Sequence, residues 1–310
     1  MSKLPISLII DDGGPINLFH FHQLDIFHPV TVPACFAKRF ADICRKHGVR
    51  GKYSVVPMPA GLGRIDQTLS QMPKADMEAV LDVLRKEVAP MFSITSEILT
   101  HYLAYNLKGG GYCLHVCEDE YIRQSTPQQI ADYVALSLDI LISAGFNPEG
   151  VTSPWATGDH NEKDYAAGIG MAFKQRLNRN RCFYFLHHFP DVKEPVIMAD
   201  SPETGTVVSI PQTTGDAFWC TQLPAIEAEA RKLATEKIDG LLSPDGKTGI
   251  IRDRINAGYP PILITHWQSI FSDGRAIGLE FLDALCERIN KYLLDEVEWQ
   301  DFMTIANAVK

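Results

Sequence analysis

Short apolar runs that end in polar or glycine-rich turns alternate along this chain with longer segments whose apolar residues recur at helical spacing. Ile6-Ser7-Leu8-Ile9-Ile10 is apolar and rich in β-branched residues, and it stops at Asp11-Asp12-Gly13-Gly14-Pro15. That pattern predicts a buried strand running into a tight loop. Phe36, Phe40, Ile43 and Cys44 mark a helix from Ala34 to His47, Gly48 stops it, and Lys52 to Val56 resumes as a strand. Met77, Val80, Leu81, Leu84 and Val88 line one face of the next helix, which Pro90 ends, and Met91 to His101 reads as extended. Thr126-Pro127-Gln128-Gln129 combines an N-cap, a first-turn proline and a capping-box glutamine, and it opens a helix that Gly145 closes. Strands follow at Gly150 to Trp155, Cys182 to Leu186, Val207 to Ile210 and Ile262 to His266. Helices are expected at Glu162 to Leu177, Ala225 to Lys237 and through Phe281, Leu282, Leu285, Ile289 and Leu293.

About seven strands separated by amphipathic helices imply a parallel sheet, and no linker-like tract divides them. The expectation is an α/β chain folded as one domain over residues 1–310, a distorted (β/α) barrel of about seven parallel strands related to the TIM barrel. An open doubly wound sheet gives a similar pattern. At 310 residues with 45% hydrophobic content, the chain buries a sizeable core without disulfides or a structural metal.

A formal charge of -9 with no basic cluster argues against a nucleic-acid partner. No apolar run reaches the roughly 20 residues that cross a bilayer. The N-terminus shows no signal-peptide pattern, and the seven scattered cysteines suit reduced thiols, so a cytoplasmic location is expected. Cys113 and Cys117 have no second pair at zinc-finger spacing. Gly246-Lys247-Thr248 lacks the upstream glycine of a phosphate-binding loop, since residue 241 is leucine.

In a barrel, chemistry collects where the strands end. Asp11 and Asp12 close the first predicted strand, His101 the third and Trp155 the fourth; His187 and His188 follow the fifth, and His266-Trp267 closes the last. Each alone is an ordinary polar strand end. Adjacent aspartates do not readily both ionise without a cation beside them. A divalent ion on one carboxylate and two imidazoles keeps an open position and leaves the second carboxylate free as a base.

Ile9-Ile10-Asp11-Asp12-Gly13 after a buried first strand resembles the opening motif of the NodB-type polysaccharide deacetylases, carbohydrate esterase family 4. Leu263-Ile264-Thr265-His266 is similar to that family's closing motif, and Ser153-Pro154-Trp155-Ala156-Thr157-Gly158 matches its third motif in part. Val297-Glu298-Trp299 before a final helix also looks like the way these chains close. The resemblance implies a distorted barrel that removes an acetyl group from an N-acylated sugar or polysaccharide with a divalent metal, expected to be Zn²⁺. It implies Asp11 as general base, Asp12 as metal ligand and His266 as general acid. The family's His-x-x-x-His motif is met at His101, but four residues on stands Tyr105. His115 is then the candidate for the second imidazole, or the run from His115 to Asp119 is itself the motif. The arginine that orients the catalytic aspartate in the family is Ser153 here.

Trp155, Trp267 and His22 are the candidate substrate contacts, within a set of aromatics able to stack on a sugar face. Two other readings stay open: a barrel that binds carbohydrate without turning it over, and an amidohydrolase-type metal site built on His20 and His22.

Overall fold

A computed structural model describes residues 3–18 and 30–310; His20 and His22 lie outside the described residues. Nine strands form the central sheet: β1 (Leu4–Asp11), β2 (Gly51–Val55), β3 (Phe92–Glu97), β4 (Gly150–Thr152), β5 (Arg181–Phe185), β6 (Val196–Ser201), β7 (Gly205–Ser209), β8 (Ile262–His266) and β9 (Val297–Trp299). Their order is β6-β7-β5-β4-β3-β2-β1-β8, with β9 also paired to β1. All of these pairings are parallel except that of β6 with β7. The run from β7 to β8 is thus the expected set of seven parallel strands, with β9 extending the far end of β1 and β6 an antiparallel addition at the edge.

The described helices are α1 (Ala34–His47), α2 (Lys74–Val83), α3 (Glu118–Arg123), α4 (Pro127–Ser143), α5 (Glu162–Leu177), α6 (Glu227–Leu241), α7 (Ile250–Asn256), α8 (Trp267–Phe271), α9 (Ile277–Leu293) and α10 (Phe302–Ala308), most of them where the apolar spacing predicts them. The Thr126 hydroxyl accepts from the Gln129 amide while the Gln129 side chain accepts from the Thr126 amide, so the predicted capping box starts α4. Among these elements the sequence reading missed α3, α7, α8 and β6. The three helices are short, and β6 is a half-exposed edge strand without a clear apolar period.

Curvature of the sheet shows in its core. Ile6, Leu8 and Ile10 of β1 pack outward with the helices, whereas Ile9 joins Phe183 and Phe185 of β5, Val208 of β7 and Ile262 and Ile264 of β8 in a second cluster. Strands this far apart in the sheet share a core only if the sheet curls round on itself. Past β7, Asp216 bridges to Ile264 of β8 and narrows the gap between the two ends. Phe302 and Ile305 of α10 join this inner cluster. Successive side chains alternate faces, so Ser7, Ile9 and Asp11 share the face opposite Leu8 and Ile10. The parallel strands from β1 to β8 end on one rim, which sets Asp11, Glu97, Thr152 and His266 around a common opening. No helix among the described residues is long and apolar enough to cross a membrane.

Candidate active site

One cavity of about 320 Å³ opens at that rim, and Asp11, Asp12, Glu97, His101 and His266 all contribute to its lining. Register alone pairs two of them: Asp11 of β1 lies opposite His266 of β8. Strand alternation would send Asp12 to the far face. A left-handed backbone (φ 58°) turns it back, so both consecutive carboxylates reach the cavity. Gly13 permits the turn, because a Cβ there would sit 2.2 Å from the Ser54 carbonyl oxygen. Ile98, His101 and Trp155 also have positive φ, at 41°, 52° and 51°. Such conformations cost about 1–3 kcal/mol each and persist where the surroundings enforce them.

Asp12, Glu97 and His101 form a buried group whose ligand atoms lie within 4.8 Å of one another. Asp12 Oδ1 is 2.9 Å from His101 Nε2, and Glu97 Oε1 is 3.5 Å from the same nitrogen. Glu97 Oε2 accepts from the Asp12 amide at 2.7 Å and from Ser54 Oγ at 2.6 Å. Gln268 Nε2 donates to Asp12 Oδ2. Burial and the neighbouring Asp12 charge push Glu97 up to about 8. Burial alone would lower His101, but Asp12 and Glu97 override it and hold the imidazole up to about 10. Two buried carboxylates converging on one imidazole, and drawing protons to compensate, are a donor set that a divalent cation fits.

The third member of this group is a correction. His115, the expected ligand, sits exposed on a hairpin formed by Leu103–Tyr105 and Tyr112–Cys117, outside the cluster. Glu97 takes that place. The signal was in the sequence, since Glu97-x-x-x-His101 has the i, i+4 spacing sought downstream of His101. Glu118, just after the hairpin, fixes the strained turn. Its carboxylate accepts from the Thr100 and His101 amides at 2.8 and 2.7 Å and from the Tyr133 hydroxyl at 2.8 Å. Burial pushes Glu118 up to about 7 even though these donors favour its charge.

Asp11 meets a cation that the sequence reading overlooked. Lys52, fully buried on β2, donates to Asp11 Oδ1 and to Thr152 Oγ1, and its ammonium lies 5.1 Å from the Phe185 ring centroid. Ser153 instead bonds the Tyr165 hydroxyl at 2.8 Å. On the opposite wall, His266 Nδ1 is 2.7 Å from Asp216 Oδ2. Burial opposes the His266 charge, but Asp216, aided by Asp12 and Asp11, lifts the imidazole to about 9.

Trp155 lines the cavity half-exposed, its ring centroid 4.9 Å from that of His101, and Trp219 packs against His266 at 4.8 Å. Trp267 does not reach the cavity, contrary to the sequence expectation. It is completely buried among Phe36, Phe40 and Tyr53 and donates its indole N–H to the Gly14 carbonyl at 3.0 Å. Following His266 directly, it turns to the other side of the sheet. His22, the remaining expected substrate contact, lies outside the described residues.

No protein-family model matches the sequence, and no curated protein is significantly similar to it. Solved structures are similar along nearly its whole length. One named as a polysaccharide deacetylase from Pseudomonas aeruginosa PAO1 is 14% identical with a TM-score of 0.53, covering 98% of this chain and 89% of that one. An allantoinase is 14% identical with a TM-score of 0.53, covering 98% and 88%. A second structure named as a polysaccharide deacetylase, from Mycobacterium smegmatis, is 15% identical with a TM-score of 0.50, covering 99% and 95%. The chain therefore has the fold of the NodB-type deacetylase structures.

Proposed function

We propose that this rim hydrolyses the amide C–N bond of an N-acylated sugar, using a divalent cation, expected to be zinc, held by Asp12, Glu97 and His101. The observation that carries this reading is convergence: Asp11, Asp12, Glu97, His101 and His266 come from three strands and their loops yet line one cavity. The fold shared with polysaccharide deacetylases supports the same direction.

When bound, such an ion supplies Lewis acidity towards water and the acyl carbonyl. Asp11 accepts the proton of the attacking water, and Lys52 holds its carboxylate in place. The water oxygen bonds to the acyl carbon, the C–N bond breaks, and His266 delivers its proton to the departing nitrogen. Asp216 keeps His266 charged for that task, and Trp155 with Trp219 provides flat walls for a sugar face. Lys52 also weakens the reading of a degenerate, binding-only barrel: it gives Asp11 the positive charge that Ser153 cannot.

The test is acetate release from N-acetylglucosamine and from its oligomers, run beside metal analysis of the purified protein. Asp11→Asn should abolish turnover and keep the metal, whereas His101→Ala should lose both. Full activity in Asp11→Asn would refute the base assignment. Undiminished turnover after chelation would remove the metal from the scheme, and turnover of allantoin alone would replace the sugar.

A further inference from the structure

Two imidazoles at the rim have partners of opposite kind. His266 Nδ1 faces the carboxylate of Asp216, whereas His188 Nδ1 lies 2.7 Å from the side-chain Nε2 of Gln212. The two ends of a glutamine amide are normally hard to tell apart. Here the surroundings decide. Gln212 is buried, and its Oε1 accepts from the Thr214 amide at 2.8 Å and the Gly215 amide at 2.7 Å. Two N–H donors require an oxygen at that end, so the end facing His188 is the NH₂ group and donates. His188 Nδ1 must then be the acceptor, and a neutral imidazole with a bare Nδ1 carries its proton on Nε2.

This arrangement is built into the sheet extension. The Gln212 amide donates to the His187 carbonyl at 3.0 Å, the Phe189 amide donates to the Gln212 carbonyl at 3.0 Å, and His188 and Gln212 form a parallel bridge. Protonating Nδ1 would set two N–H groups against each other, and flipping the amide would set its NH₂ against two backbone donors. Among the described residues, the charged and titratable groups that act most on this ring are Asp11 and Asp191, which favour its charge, and His187 and His266, which oppose it. Burial, helped by the two other histidines, also moves His188 below the ordinary imidazole value.

We propose that His188 is a permanently neutral hydrogen-bond donor, offering Nε2–H to the acyl oxygen of the substrate in the cavity it shares with Asp11 and His266. This deepens the amide-hydrolase reading and rests on it for the identity of that oxygen. As water adds to the acyl carbon, the C=O electron pair moves to oxygen, and a donor fixed beforehand stabilises the charge that develops there. The division of labour follows from the partners: carboxylate-backed His266 gives up a proton, while amide-backed His188 keeps its own.

The test has a spectral and a kinetic arm. In ¹⁵N-histidine-labelled protein, the signal that disappears in His188→Asn should show the neutral Nε2–H form from pH 6 to 8, and Gln212→Glu should convert it to the imidazolium. An imidazolium or an Nδ1–H form of His188 in the wild type would overturn the proposal. With N-acetylglucosamine, His188→Ala should lower kcat about 100-fold with little change in KM, and His188→Asn, whose amide still donates, should recover part of the loss. An unchanged kcat in His188→Ala would equally overturn it. If the wild type releases no acetate, the amide-hydrolase reading fails by itself. The spectrum and acetate binding then judge His188: affinity for acetate should fall about tenfold or more in His188→Ala, and an unchanged affinity overturns the proposal.

Discussion

Asp216→Asn separates electrostatics from architecture at the general acid. Asp216 Oδ1 accepts from the Phe218 and Trp219 amides at 2.7 and 3.2 Å, while Oδ2 faces His266 Nδ1 at 2.7 Å. Asparagine keeps an oxygen for the two loop amides and turns an NH₂ group towards His266, copying the amide that Gln212 presents to His188. His266 then loses the carboxylate that lifts it to about 9, and it should titrate at or below the ordinary imidazole value of about 6.5. At pH 8 the wild-type imidazole is about 90% protonated and the variant's about 3%, so the rate at that pH should drop about 30-fold from protonation state alone. The pH–rate profile of acetate release is the assay, and its alkaline limb should move from near 9 towards 6.5. Stability offers a check that needs no substrate. A raised folded-state value gives His266 a stabilising contribution that is full below about pH 6.5 and lost as pH rises through 9. Denaturant unfolding should therefore show the wild type losing on the order of 2–3 kcal/mol relative to Asp216→Asn across that window. An unmoved alkaline limb, with parallel stability profiles, would refute the assignment of His266 as a carboxylate-backed acid.

Two further substitutions probe the supports of the site. Lys52→Met leaves Asp11 buried without its counter-charge and should cost about 3–5 kcal/mol in chemical denaturation; adding Asp11→Asn should recover much of that loss, and strictly additive effects would show that the pair is not coupled. Glu118→Gln sets an NH₂ group against a backbone donor of the turn that carries His101, so zinc affinity measured by titration should weaken about 10- to 100-fold. An unchanged affinity would show that the turn holds without Glu118.

The sequence made the strand ends legible because each is a local event: an apolar run, then a polar residue or glycine. Asp11, Asp12, His101 and His266 were picked out as candidates that way, and the alternation of strands and helices anticipated the rim where they line one cavity. What was missed depends on pairing across the chain. Lys52 is 41 residues from Asp11, Glu97 is 85 from Asp12 and Asp216 is 50 from His266. No local period reports such contacts. Lys52 did leave a trace, since Lys52 and Ser54 alternate with Tyr53 and Val55, the pattern of a strand with one polar face turned into a barrel. His115 was misplaced because a hairpin carries it out of the site, and Trp267 because the residue after an inward-facing strand end turns outward.

Charge balance at the rim leads to a last prediction, about cation affinity and pH. Asp11 pairs with Lys52 and Asp216 with His266, while among the described residues Asp12 and Glu97 converge on His101. Burial and the adjacent Asp12 charge raise Glu97 to about 8, and against burial Asp12 and Glu97 hold His101 up to about 10, so both carry protons at neutral pH. A cation that binds all three must displace those protons. Between about pH 8 and 10 one proton competes, and below about 8 two do, so zinc affinity should rise with pH, by about tenfold per unit in the upper range and more steeply below. Isothermal titration in buffers of different ionisation heat measures both the affinity and the protons released. Replacing Glu97 with glutamine should remove one proton from the count and flatten the lower range. A zinc affinity that stays level from pH 6 to 8, with no proton release, would mean that Asp12, Glu97 and His101 form a closed ion-pair network and not a cation site.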